Sequence, residues 1–149
     1  MSSLRERTAR DLEAIVRWIP DAAALYRFAG PRLTWPLTSQ QLNDIAAVDG
    51  ATAWVMDDDG TVAGHAQLVR TDDVVRLGRV LIDPAKRGRG LGRELAALAV
   101  EQARRQGAAR IDLSVLADNQ PARRIYDALG FTVVADQEPS DMIAMTRRL

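Results

Sequence analysis

At 149 residues and 16.3 kDa the chain has the length of one domain, and its 47% hydrophobic and 27% charged residues exclude a disordered polymer. Twenty basic and twenty acidic side chains cancel to a formal charge of zero, so no global field draws the protein to nucleic acid or to an anionic membrane. With no cysteine and one histidine, disulfides, thiolate nucleophiles, cysteine-ligated metals and multi-histidine metal sites are out of reach, and no metal is expected.

Residues 4–8 alternate in the manner of a short strand, and Leu12, Ile15, Val16 and Ile19 stand at helical spacing, which predicts a helix over 9–19 capped by Thr8. Pro20 interrupts it; 22–28 continues in helical style, and Gly30-Pro31 with Trp35-Pro36 marks an irregular aromatic loop. A short helix follows from Thr38 or Ser39 through Ala46. Residues 51–56 and 61–70 read as a hairpin around Asp57-Asp58-Asp59-Gly60, and 74–82 as a further strand. Leu91, Leu95, Leu98 and Ala99 then lie along one side of a helix ending near Gly107. Residues 111–116 form a strand, Asp118 or Asn119 caps a helix through Leu129, and 131–135 with 142–145 complete a last hairpin. The order predicts one domain over 1–149, an α/β (α+β) three-layer sandwich. Its sheet is mixed and mostly antiparallel, of six to seven strands, with helices on both faces. No apolar run approaches the ~20 residues that span a bilayer, and the N-terminus lacks the apolar stretch of a secretory signal. A cytoplasmic protein with no membrane or nucleic-acid partner is expected.

The informative segment is Ile82-Asp83-Pro84-Ala85-Lys86-Arg87-Gly88-Arg89-Gly90-Leu91-Gly92-Arg93, a glycine-rich turn between a strand and an amphipathic helix. Amides at a helix start have no intrahelical partner and the helix dipole favours an anion there. Glycines 88, 90 and 92 admit a phosphate close to the backbone, and Arg87, Arg89 and Arg93 add charge beside it. The spacing lacks the Gly-Lys-Ser/Thr of a nucleotide-hydrolysing loop, and Arg93 and Leu95 stand where a dinucleotide fingerprint needs glycine.

The stretch Arg87-Gly88-Arg89-Gly90-Leu91-Gly92 resembles the pyrophosphate signature of the GNAT superfamily of acyl-CoA-dependent N-acetyltransferases. A second segment, Asn119 to Phe131, resembles the same family through its Asn, Ala, Tyr and Gly-Phe in order. The resemblance implies acetyl-CoA as co-substrate and transfer of a short acyl group to a primary amine by direct attack in a ternary complex. The strand Val80, Leu81, Ile82 would face the pantetheine arm, the turn from Arg87 through Gly88, Arg89, Gly90, Leu91, Gly92 and Arg93 would hold the pyrophosphate, and Asn119 and Ala122 would contact the cofactor. Tyr126 would stand near the thioester sulfur as general acid. A non-catalytic acyl-CoA sensor of the same fold is the alternative.

A phenol of pKa about 10 is protonated at neutral pH and suits that donor role. Backbone N–H groups of Leu81 or Ile82 are candidates for the oxyanion contact. The base is open among His65, placed with Gln67 on the more polar side of its strand, Glu138 and Asp141 in the last hairpin loop, or none. The acceptor, a small-molecule or peptide amine, is expected between the loop 29–37, walled by Trp35, and the turn 136–141 with Asp136, Glu138 and Asp141 drawing in an ammonium group. A homodimer is left open.

Overall fold

The computed structural model describes residues 2–149. The elements run β1 (Ser2–Glu6), α1 (Ala9–Arg17), α2 (Ala22–Ala29), α3 (Ser39–Ala46), β2 (Ala51–Asp58), β3 (Thr61–Thr71), β4 (Val74–Ile82), α4 (Leu91–Arg105), β5 (Arg110–Leu116), α5 (Gln120–Ala128), β6 (Thr132–Val133) and β7 (Met142–Arg148). The strands form a seven-stranded sheet in the order β1-β2-β3-β4-β5-β7-β6, antiparallel throughout except where β4 lies beside β5. Ile15, Leu25, Phe28 and Leu42 of α1 to α3 pack with Val55 and Leu81 on one face. Leu95, Ala99 and Ala103 of α4 and Tyr126 of α5 pack with Met56, Leu68, Leu77 and Leu113 on the other. This is the expected three-layer, mostly antiparallel arrangement, and no helix among the described residues is long and apolar enough to cross a membrane.

Several element boundaries differ from the sequence expectation for local reasons. β1 stops at Glu6 because Thr8 is drawn into the helix start: Asp11 Oδ2 accepts from Thr8 N at 2.7 Å, and Thr8 O accepts from Asp11 N at 3.1 Å. The helix expected over 9–19 ends at Arg17, ahead of Pro20, whose ring disfavours helical backbone before it. β2 runs on through Asp57 and Asp58, because the two-residue turn Asp59-Gly60, with φ of 50° and 84°, is enough to reverse the chain. β6 shrinks to two residues. There Gln137 ties the following loop instead, accepting from Ala144 N at 2.8 Å and donating to Val134 O at 2.8 Å.

Two glycines set how closely layers approach. An added Cβ on Gly64 would lie 3.0 Å from Ile82 Cδ1, 3.1 Å from Leu95 Cδ2 and 3.3 Å from Leu81 O, so α4 sits on β3 only because that side chain is missing. At Gly50, with φ of 80°, a Cβ would run into the Arg70 carbonyl oxygen, which leaves room for Arg70 N to donate to Gly50 O at 2.8 Å.

Candidate active site

The glycine-rich turn folds as the sequence indicated. Gly88 and Gly90 adopt φ of 82° and 77°, and a Cβ on either would meet nothing within 4 Å, so the space over the turn is open. Gly90 is the N-cap of α4 and offers no side chain to its first turn. The earliest helical bond runs from Glu94 N to Gly90 O at 3.2 Å, which leaves the amides of Leu91, Gly92 and Arg93 without an intrahelical acceptor. Arg87, Arg89 and Arg93 are exposed beside them. Leu91 is 5% exposed and anchors the helix, and Gly92 lies where a Cβ would be 3.4 Å from Ile125 Cδ1 of α5. Free amides, open space and positive charge fit a diphosphate.

The second feature is the splay of β4 from β5. The two pair in parallel from Val74 to Leu77 against Arg110 to Leu113, and there the pairing stops, although β4 continues to Ile82 and β5 to Leu116. The edge of β4 from Gly78 onward therefore faces a wedge rather than a strand. Just there β4 also bulges: His65 is registered with Leu81 and Gln67 with Gly78, so Arg79 and Val80 together oppose Ala66. Arg79 takes the left-handed φ of 49°, which is unfavourable for a residue with a Cβ. A cavity of about 430 Å³ fills the wedge, with Gly78, Arg79 and Val80 on one wall and Ser114, Val115 and Leu116 on the other. Val80 lines it. Leu81 and Ile82 do not; Leu81 packs into the core under α1 to α3 and Ile82 into the core under α4.

α5 closes the end of that cavity. Asn119 accepts from Ala122 N at 3.3 Å and so caps α5, and Asn119, Ala122 and Tyr126 all line the space. Tyr126 is 7% exposed, its ring edge-on to Phe131 at 5.6 Å. Burial pushes the phenol up to about 12, and among the described residues the hydroxyl has no hydrogen-bond partner. It is a buried, protonated donor on the cavity wall.

His65 departs from expectation. It is fully buried on β3, with its ring 5.7 Å from that of Phe28. Nδ1 donates to the Arg79 carbonyl at 2.9 Å, and Nε2 accepts from Arg7 Nη1 at 3.1 Å, which fixes the neutral Nδ1–H tautomer. Burial, with Arg7 and Arg79 adding to it, brings the imidazole down to about 4. Gln67, expected beside it on a polar side, is 3% exposed and donates to Ile45 O at 3.1 Å. That side of the strand is polar but covered, because α1 to α3 roof it over.

The acceptor-side residues fall elsewhere than the topology suggested. Trp35 is 44% exposed and does not line the cavity; Leu33 and Leu37 anchor that loop in the core in its place. Glu138 and Asp141 lie exposed on the loop before β7, and neither lines the cavity. The walls are instead Tyr26 to Arg32, Arg76, Arg79 and Met142. Sequence periodicity carried no signal for these, since Arg27, Arg32, Arg76 and Arg79 sit on three different segments and meet only through the fold. Among the described residues no cluster of His, Asp or Glu is arranged to hold a metal.

Comparison with known proteins agrees with the fold. The pattern of the acetyltransferase (GNAT) family matches residues 14–131. The chain is 30% identical over 114 residues to the uncharacterized N-acetyltransferase YjgM of Escherichia coli, covering 72% of this chain and 68% of that protein. The fold is shared with the paia N-acetyltransferase of Thermoplasma acidophilum solved with coenzyme A, at TM-score 0.76 and 17% identity, covering 100% and 99% of the two chains. It is shared also with AAC(6')-Ib solved with acetyl-CoA, at TM-score 0.81 and 22% identity, covering 99% and 93%.

Proposed function

The chain belongs to the acetyltransferase (GNAT) family, and we propose that it binds acetyl-CoA in the wedge between β4 and β5 and acetylates an amine that enters the cavity from the side of α2. The observation that carries this reading is the unpaired edge of β4, the strand that leads into the open amides at the start of α4, with Tyr126 lining the wedge beside it. The amides of Leu91, Gly92 and Arg93 hold the pyrophosphate, with Arg87 and Arg89 beside them and Gly88 and Gly90 keeping side chains out of the way. Acetyl-CoA supplies the activated thioester, and the overall exchange converts amine and acetyl-CoA into N-acetyl amine and the free CoA thiol.

The chain's own groups each have a defined task. The edge of β4 from Gly78 to Val80 presents backbone groups to an extended amide-bearing arm, and Val80 N–H, on the bulge, serves the developing oxyanion in place of the expected Leu81 or Ile82. The Tyr126 hydroxyl keeps its proton and donates it toward the departing sulfur in a ternary complex. His65 accepts no proton from the amine, since its Nε2 already receives the Arg7 hydrogen bond and the ring is sealed off. The amine enters in its free-base form and loses its proton to water, from which the Tyr126 phenolate is reprotonated.

Purified protein incubated with acetyl-CoA and a panel of amines, with free thiol followed over time, tests the reading. Turnover with at least one amine and loss of CoA affinity in Gly90→Glu, read by calorimetry, are the expected results. CoA binding unaffected by Gly90→Glu moves the cofactor site; thermal stabilisation by CoA without turnover on any amine overturns the catalytic assignment.

A further inference from the structure

The charge of the cavity is one-sided in a chain that is neutral overall. Arg27, Arg32, Arg76 and Arg79 line it and no aspartate or glutamate does. Among the described residues Arg27, Arg32 and Arg79 have neither an ion pair nor a side-chain hydrogen bond. Arg76 donates to a neutral partner, Ser114 Oγ, at 2.7 Å. The acid registered opposite Arg76, Asp112, is already engaged by Arg110 at 3.0 and 3.1 Å and by Thr146 Oγ1 at 2.6 Å.

Arg79 carries the strongest sign of an absent partner. Its Nε is buried with nothing to donate to, a costly state for a cation and one that an oxyanion relieves through paired N–H contacts. Burial and the like charge of Arg32 both disfavour the charged form of Arg79, which places the two guanidinium groups within electrostatic reach of each other with no carboxylate between them. These cations are separate from the turn assigned to the pyrophosphate, because no residue from Pro84 to Arg93 lines the cavity.

We propose, building on the acetyltransferase reading above, that the acceptor is an amine whose molecule also carries an oxyanion, a carboxylate in first place, received between Arg32 and Arg79 with Arg27 and Arg76 reinforcing the field. This reverses the polarity expected from Asp136, Glu138 and Asp141, which lie outside the cavity. It selects amino acids and amino-phosphonates over polyamines and simple alkylamines, since a second ammonium group would enter a field of its own sign.

The test uses matched amines that differ only in charge: L-amino acids against their carboxamides, and 2-aminoethylphosphonate against an uncharged amine of the same length. Thiol release gives kcat/KM for each, and calorimetry on the CoA-saturated protein gives binding of the N-acetyl amino acids and their amides. The expected result is at least a tenfold preference for the anionic member, which collapses toward one in Arg32→Gln and in Arg79→Gln through a rise in acceptor KM. Preference for the phosphonate over the carboxylate would assign the phosphorus oxyanion as the group received. Equal use of both members of each pair overturns the anion site and leaves the acetyltransferase reading standing. Tight, arginine-dependent binding of the acids without turnover of any amine upholds the site and overturns the catalytic reading; absence of both overturns both. A rise in acetyl-CoA KM in the arginine variants with the ratio unchanged also overturns the proposal, by giving the arginines to the cofactor.

Discussion

The Nδ1–H of His65 on β3 reaches across to the carbonyl oxygen of Arg79 at 2.9 Å, at the point where β4 bulges and opens from β5. A buried imidazole, invisible from the cavity, thus holds in place the backbone that shapes it. Arg7 backs the ring from the far side and ties it to α3 through Leu42 O at 3.2 Å. His65→Ala removes packing and leaves both partners unsatisfied, and a loss of about 3 kcal/mol is expected in urea unfolding. His65→Asn, which keeps an N–H donor, loses less. Equal losses in the two variants would separate the imidazole from the bulge.

The same residue predicts an acid response. The folded value of about 4 lies below the ordinary 6.5, so protonation favours the unfolded chain: the stability is complete above pH 6.5 and drains as pH falls toward 4. The slope approaches about 1.4 kcal/mol per pH unit within that window. Asp11 acts later. Burial alone would raise its carboxyl, but hydrogen bonds from Arg5 and Thr8 hold it below its ordinary 3.8, so its contribution is lost only at lower pH. Unfolding free energies measured from pH 7 to 4.5 fall in the native protein and much less in His65→Asn; parallel curves would refute this assignment.

Tyr126→Phe keeps the ring against Phe131 and removes the donor. A drop of ~10²–10⁴ in kcat is expected, with CoA affinity within a few-fold. Since burial holds the phenol near 12, any alkaline limb below pH 10 belongs to another group and persists, shifted down but unmoved along the pH axis, in the variant. Wild-type turnover under conditions where chemistry limits the rate would reduce Tyr126 to a packing residue.

The glycines separate binding from folding. Gly92→Ala places its Cβ at 3.4 Å from Ile125 Cδ1 in the first turn of a helix, where alanine is favoured by up to about 1 kcal/mol, so thermal stability holds or rises. Gly64→Ala forces a methyl against Ile82, Leu95 and the Leu81 carbonyl, and costs about 1–3 kcal/mol. Thermal unfolding of the two variants side by side checks the contrast; a stable Gly64→Ala protein would show that α4 can shift outward without penalty.

Local rules made much of this architecture legible. Thr8, Thr38 or Ser39, and Asp118 or Asn119 mark their helix starts, with Thr8, Thr38 and Asn119 taking the cap positions, and the glycines between Arg87 and Arg93 mark the loop that opens α4, because both features depend only on neighbours in sequence. The burial of His65 was not legible. A polar side of a strand looks alike whether it faces water or a roof of helices, and only the packing of Phe28 above it decides. The arginine lining was hidden for the same reason, being assembled from α2, the turn after it and β4.

The brevity of the β4–β5 pairing gives the molecule a seam. Among the described residues, four pairs, Val74 to Leu77 with Arg110 to Leu113, are the only ladder joining β1 to β4 with the block of β5, β7 and β6. On one side lies a meander of four strands, and on the other a smaller leaf whose middle strand, β7, is contributed last by the chain. A ligand lying in the open part of the seam touches both leaves and acts as a rivet between them, so its binding couples their opening fluctuations rather than simply adding contacts to one. With CoA in the wedge as proposed, amide exchange at Val115 and Leu116 on one leaf and at Val80 on the other is expected to slow together.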